Sequence, residues 1–312
     1  MKKHIFTIAF ALLAVPILAC DVCGGSGMNM GFGYIPLQKR HIIGINYSIS
    51  SFRTDHPPMP GMDAQYSKDH FQTVDLWMRY FLKDRWMITA SVPYKANSIN
   101  MSPGASYSSK SINGLGDASI QTYYGLWRRG TSNSKTQLFW LVGAGLKMPT
   151  GATNNNLDGQ QIQNMMLGSG SWDAQLASNF SLRSKQFGLN HELYYSLNGA
   201  NSNEFKFGNR FNSKIIGFTQ KRFMKQTLIP QVGLSYQHFN KDIAYTSLNI
   251  EKQYSGKEQW SGILGLDLYI KSFGFRFNTE IPFAYEISEG YVTPKLSSRI
   301  QLLYFINKKS KK

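Results

Sequence analysis

The sequence predicts an all-β chain, a transmembrane antiparallel up-and-down β-barrel of about twelve strands. Three observations predict it. Apolar and polar side chains alternate with a period of two over stretches of about ten residues. Long and short connections follow one another along the chain. The composition is low in charge (17%), rich in aromatics (14%), and has a negative mean hydropathy of −0.30. A soluble domain usually carries about a quarter charged residues. A barrel with one face in lipid and one lining a polar interior needs fewer.

The first residues point to export. Lys2 and Lys3 precede a mostly apolar run from Ile5 to Leu18, and Ala19 is a small residue before Cys20. This reads as a secretory signal peptide over 1–19, and its flanks argue against an inner-membrane anchor or a buried helix. A Gly-, Cys- and Met-rich segment follows over 20–39, then the barrel over 40–307, then a basic tail over 308–312. No later stretch reaches the roughly 18 apolar residues that a membrane-crossing helix needs.

Within the barrel, Val74, Leu76, Met78, Tyr80 and Leu82 alternate with Thr73, Asp75, Trp77 and Arg79. The same pattern runs from Trp86 to Tyr94, Leu138 to Lys147, Trp172 to Leu182, Leu189 to Leu197, Leu264 to Lys271, Phe273 to Phe283 and Leu296 to Tyr304. Weaker strands near 41–53, 115–127, 207–222 and 228–239 complete an even set. The expected outward connections are 54–69, 96–112, 150–170, 199–205, 240–258 and 286–294. Those expected to face the periplasm are short, as at Lys83 to Arg85, Arg183 to Lys185 and Lys271-Ser272. A soluble β-sandwich would show the alternation but gives no reason for this asymmetry. Trp86, Tyr94, Trp172 and Trp260 sit near strand ends, where interfacial rings belong.

Three short stretches carry a family resemblance. They are Val92-Pro93-Tyr94, then Gly114-Leu115-Gly116-Asp117, then Gly143 to Lys147 running into Met148-Pro149-Thr150-Gly151. Together they resemble the outer-membrane transporter-like family of the MetA pathway of phenol degradation. That resemblance implies a barrel in the bacterial outer membrane that passes small molecules, among them hydrophobic ones. Cys20-Asp21-Val22-Cys23-Gly24 resembles a Bacteroidetes-type branch of the family, in which a third Cys often stands where this chain has Gly25.

The alternation directs a set of charged side chains inward: Asp75, Arg79, Asp117, Asp173, Glu192, Asp267, Lys271, Arg276, Glu280 and Arg299. Unpaired charge is costly in a narrow, low-dielectric space, so these groups should pair. Two readings stay open: a structural ion-pair network that plugs the lumen, or a charged constriction that selects solutes. Twelve strands enclose more than eight, which side chains fill, and less than a porin of sixteen. A narrow channel or an occluded pathway is therefore expected.

The two cysteines, Cys20 and Cys23, admit three readings. Cys20 follows Ile17-Leu18-Ala19 and could be lipidated. With Met28 and Met30 the pair could hold a soft metal such as copper, since thiolates and thioethers suit Cu(I). It could also form a small, labile disulfide. No Gly-x-Ser-x-Gly elbow and no helical His pair occurs, and His191 and His238 fall on the lipid-facing register, so catalysis is not expected. Gly168-Ser169-Gly170-Ser171 reads as a flexible loop. The net charge of +16 suggests anionic lipid or anionic solutes as partners, and export argues against nucleic acid. The expectation is thus an outer-membrane channel or transporter for small solutes, with no resident cofactor. A soft-metal role serving a periplasmic partner and a structural or adhesive role for the loops are the alternatives.

Overall fold

The computed structural model describes residues 40–56, 64–102, 109–130, 134–153, 156–157, 160–161, 163–245, 250–252 and 255–306. The expected signal peptide, the segment with Cys20, Cys23, Met28 and Met30, and the basic tail lie outside the described residues. Twelve antiparallel strands close into one cylinder. They are β1 (His41–His56), β2 (Gln65–Phe81), β3 (Trp86–Met101), β4 (Ser119–Arg129), β5 (Thr136–Lys147) and β6 (Asp173–Ser184). The second half is β7 (Phe187–Leu197), β8 (Arg210–Thr219), β9 (Gln226–Phe239), β10 (Lys257–Ile270), β11 (Phe273–Ile287) and β12 (Val292–Ile306). Two short pieces prolong these strands: Lys110–Leu115 runs on from β4 along β3, and Lys221–Phe223 runs on from β8 along β9. Every strand pairs with its sequence neighbours, and β12 returns to pair with β1, placing Ile306 opposite His41. Closure removes the unpaired edges that a bilayer cannot solvate.

The two faces follow the period of two. Ile43, Ile45 and Tyr47 of β1 point outward and are exposed, while Ile42 and Asn46 point inward and are buried. On β11, Phe273, Phe275 and Phe277 face out and Arg276 faces in. The exterior band runs through Leu76, Val92, Leu176, Ile215, Val232, Leu264 and Ile300, all exposed. Aromatic pairs sit at its two borders. On the short-turn side Trp86 meets Tyr124 (5.0 Å between ring centroids) and Phe273 meets Tyr304 (5.4 Å); on the far side Tyr236 meets Trp260 (4.7 Å). No Asp, Glu, Lys or Arg among the described residues faces outward between these borders. Such a cylinder is a multi-pass barrel of the bacterial outer membrane.

The short turns, which face the periplasm in such barrels, are strongly basic. Lys83, Arg85, Lys185, Lys221, Arg222 and Lys225 are exposed there, and Asp84 is the sole acid among the described turn residues. Lys271 also belongs to this rim. It opens the two-residue turn between β10 and β11 with φ of 53° and is exposed, so it is not a lumen residue as the alternation had placed it. The inward register of β10 ends with Tyr269, before the chain reverses.

The outward connections are shorter than expected, because the strands run on beyond the membrane. β1 and β2 have 16 and 17 residues, where about 9–11 suffice to cross. They stay paired as far as His56 and Gln65. The last outward connection, expected at 286–294, is a 3-10 turn over Ser288–Gly290.

The interior is layered. Near the short turns the inward side chains are apolar: Ile42, Leu303 and Phe305 pack with Trp77 and Tyr269, and Met87, Tyr123 and Leu141 pack with Phe81 and Phe139. Large rings fit there because the residue facing each across the ladder is often glycine. Trp77 lies over Gly44, Tyr123 over Gly143, Phe218 over Gly188 and Tyr269 over Gly274. A Cβ at Gly44 would stand 2.7 Å from the Trp77 ring. Gly44→Ala is therefore expected to destabilise the barrel by about 1–3 kcal/mol through overpacking. Urea-driven unfolding in detergent, read by Trp fluorescence, would show an unchanged midpoint if the ring can simply swing aside.

Candidate functional site: the lumen and its anchored mouth loop

At the outer mouth a break in the barrel wall creates a docking point. Pro93 cannot donate to the ladder, and the chain opposite it bulges at 116–118, between Lys110–Leu115 and β4. Gly116 N–H donates to the Pro93 carbonyl at 2.8 Å, and the bulge turns Asp117 toward the connection after β5. The described ends of that connection, 148–153 and 163–172, fold onto the bulge. Ala118 N–H donates to Thr150 Oγ1 (2.8 Å), and Thr150 Oγ1 donates to the Gly116 carbonyl (3.0 Å). Asp117 accepts from Gly151 N–H at 3.0 Å and from Ser169 N–H at 2.7 Å. Gly168 and Gly151 approach so closely that a side chain on either would strike the other's backbone.

Lys147 completes the hub. Its Nζ lies 3.2 Å from Asp117, pairs with Asp173, and donates to Ser169 Oγ at 2.7 Å. Asp173 also accepts from Ser171 Oγ (2.8 Å) and Gly199 N–H (3.0 Å). The stretch 168–171, expected to be a flexible loop, is thus pinned by charge-assisted bonds. Its neighbours Met165, Met166 and Leu167 are buried. Leu167 reaches Gly114 beside β3, while Met166 packs on Phe205 and Phe207, with Ala244 of the connection after β9 against the same cluster. The loop is thus held both by the wall beside β3 and by the connections after β7 and β9.

Below the mouth the wall is polar. Asp75 accepts from Asn46 Nδ2 at 3.0 Å, and Glu192 accepts from Asn190 Nδ2 at 2.9 Å. Glu280 pairs with Lys214 at 2.5 Å and accepts from Ser235 Oγ at 3.1 Å. Asp267 pairs with Arg276 at 3.1 Å and accepts from the Tyr269 hydroxyl at 3.1 Å. Arg299 stands on the inner wall opposite Ser48 and Asn278. Arg79 is buried near the floor. Nine of the ten charged positions singled out from the sequence therefore line the interior or its mouth, all but Lys271.

A family profile described as "Putative MetA-pathway of phenol degradation" matches residues 45–264. The chain belongs to this family. Among solved structures it is similar to an outer membrane channel from Pseudomonas putida F1, with 13% identity over 86% of this chain and 96% of that one, at a TM-score of 0.60. That likeness is one of fold. The CymD monoaromatic hydrocarbon channel (11% identity, 93% and 95% covered) and a FadL homologue of Pseudomonas aeruginosa (8%, 92% and 97% covered) give TM-scores of 0.40 and 0.39. No curated protein matches the sequence.

In this phenol-degradation family member the three stretches that carry the resemblance meet at one place. Pro93 makes the break, Gly114 to Asp117 form the bulge, and Lys147 to Gly151 bring the loop onto it. Sequence reading left several inward cations out of the charged set: Lys95, Arg183, Arg210 and Lys214, and also Lys147, although its strand's alternation put it on the polar face. The signal for them was present. Lys95 follows outward Tyr94, Lys147 follows outward Leu146, and Lys214 precedes outward Ile215, so each falls on the lumen register.

Proposed function

We propose that the protein is an outer-membrane channel for small solutes, biased toward anions. One observation carries this reading: a sealed cylinder with an apolar exterior encloses a polar wall on which ammonium and guanidinium groups outnumber carboxylates. Arg79, Lys95, Lys147, Arg183, Arg210, Lys214, Lys257, Arg276 and Arg299 face Asp69, Asp75, Asp117, Asp173, Glu192, Asp267 and Glu280. Charged rings of one prevailing sign select ions of the other. The loop anchored at the mouth and the rings at the floor narrow the bore, which favours slow passage of small molecules over bulk diffusion. The apolar floor also suits solutes with an apolar body.

The test is electrical. Purified barrel in a planar bilayer under a KCl gradient is expected to conduct, with a reversal potential of the sign that marks chloride over potassium. A silent membrane, or cation preference, overturns the reading. Lys95→Gln should move the reversal potential toward zero, since Lys95 is buried in the inner wall beside Gly116 and its charge faces the pathway at the mouth.

A further inference from the structure

Resting on the channel reading, we propose that the floor of the lumen holds a binding station for aromatic carboxylates, centred on Arg79. Arg79 is 2% exposed, and its Nε and Nη2 donors have no hydrogen-bond partner. A buried guanidinium in that state is costly, and an anion between its donors removes the cost. Two neighbours are in the same condition. Thr89, directly across the ladder from Arg79, is fully buried with its hydroxyl unpartnered. Trp77, two residues before Arg79 on the same inward face, has an unpartnered indole N–H. Three groups on neighbouring inward positions thus hold unused donors in one region. The nearby carboxylate, Asp267, gives its Oδ2 to Arg276 and Tyr269 and keeps a buried Oδ1 without a partner, one acceptor atom against the donors of Arg79, Thr89 and Trp77.

The surroundings decide the class of anion. The Arg79 guanidinium lies over the Phe81 ring, 5.7 Å from its centroid. Trp77 packs into the apolar cluster of Ile42, Leu303 and Phe305. An inorganic anion would leave these rings unused. A molecule with a flat apolar body and a single carboxylate matches both halves: two oxygens for the forked guanidinium donors, and a ring face for the aromatic walls. Neutral hydrocarbons would leave the three donors unsatisfied, so they should bind more weakly here than the acid of the same shape.

The test is binding to the folded full-length barrel in detergent, by isothermal titration calorimetry, with benzoate, acetate, chloride and benzyl alcohol as probes. The wild type is expected to bind benzoate at least tenfold more tightly than acetate or benzyl alcohol. Arg79→Met should weaken benzoate at least tenfold and leave benzyl alcohol unchanged; Thr89→Val, which keeps the shape, should weaken benzoate by a smaller factor and serves if Arg79→Met does not fold. No benzoate binding to the wild type, or equal binding to Arg79→Met and wild type, overturns the station. Benzoate, acetate and chloride binding alike overturns the aromatic class. The channel reading fails separately: if benzoate binds at Arg79 but proteoliposomes pass no solute at all, the station stands and transport does not.

Discussion

Replacing Lys147 by Met is expected to lower barrel stability by roughly 3 kcal/mol and to free the mouth loop. Lys147 is the cation shared by Asp117 and Asp173, and Asp173 is fully buried. Removing one partner of a buried ion pair costs about 3–5 kcal/mol, because the other charge is left uncompensated. The lower end applies here, since Asp117 keeps bonds from Gly151 and Ser169, and Asp173 keeps those from Ser171 and Gly199. Guanidinium unfolding in detergent measures the stability. Proteolysis between 148 and 172 and single-channel conductance measure the loop. Both cleavage and conductance should rise, and Lys147→Arg should restore most of the loss. Unchanged cleavage and conductance would show that the loop is held by its apolar contacts alone, through Met166 and Leu167.

The second large effect belongs to the outer face. Ile300 sits near mid-height on β12, exposed, between Tyr47 of β1 and Phe277 of β11. Ile300→Arg should cost about 2–4 kcal/mol, the penalty for a cation on the lipid side near the bilayer midplane. Gln301, the next residue, faces inward among polar neighbours, and Gln301→Arg should cost less. Urea titration of folding into lipid vesicles compares the two. Equal losses would contradict the assignment of faces and, with it, the membrane-spanning arrangement.

Much of this architecture was legible because the period of two is read residue by residue. The inward set on β2, from Thr73 to Arg79, needed nothing beyond alternation. Strand ends were less legible. His56 and Gln65 remain paired well past the membrane, since extended hairpins obey the same ladder as the wall and carry no compositional mark of where lipid ends. Lys271 was misplaced because alternation continues in sequence through a turn that ends it in space. The hub at the mouth was out of reach for another reason. Asp117 and Ser169 are brought together by a bulge and a folded connection, and neither feature leaves a periodic signal. The short motifs hinted at it, for Pro93 and Gly116 are residues that a regular ladder disfavours.

Sealing the barrel demands contact between the two strands that are farthest apart in the chain, His41 opposite Ile306 at one end of the seam and Thr54 opposite Val292 at the other. Until the final stave emerges from the ribosome, no intermediate can be watertight, and each carries two naked rims ready to stick to other chains. Loop-closure entropy is met late and all at once. Assembly is therefore a single event that follows synthesis, and losing the last stave forfeits the whole vessel rather than one twelfth of it.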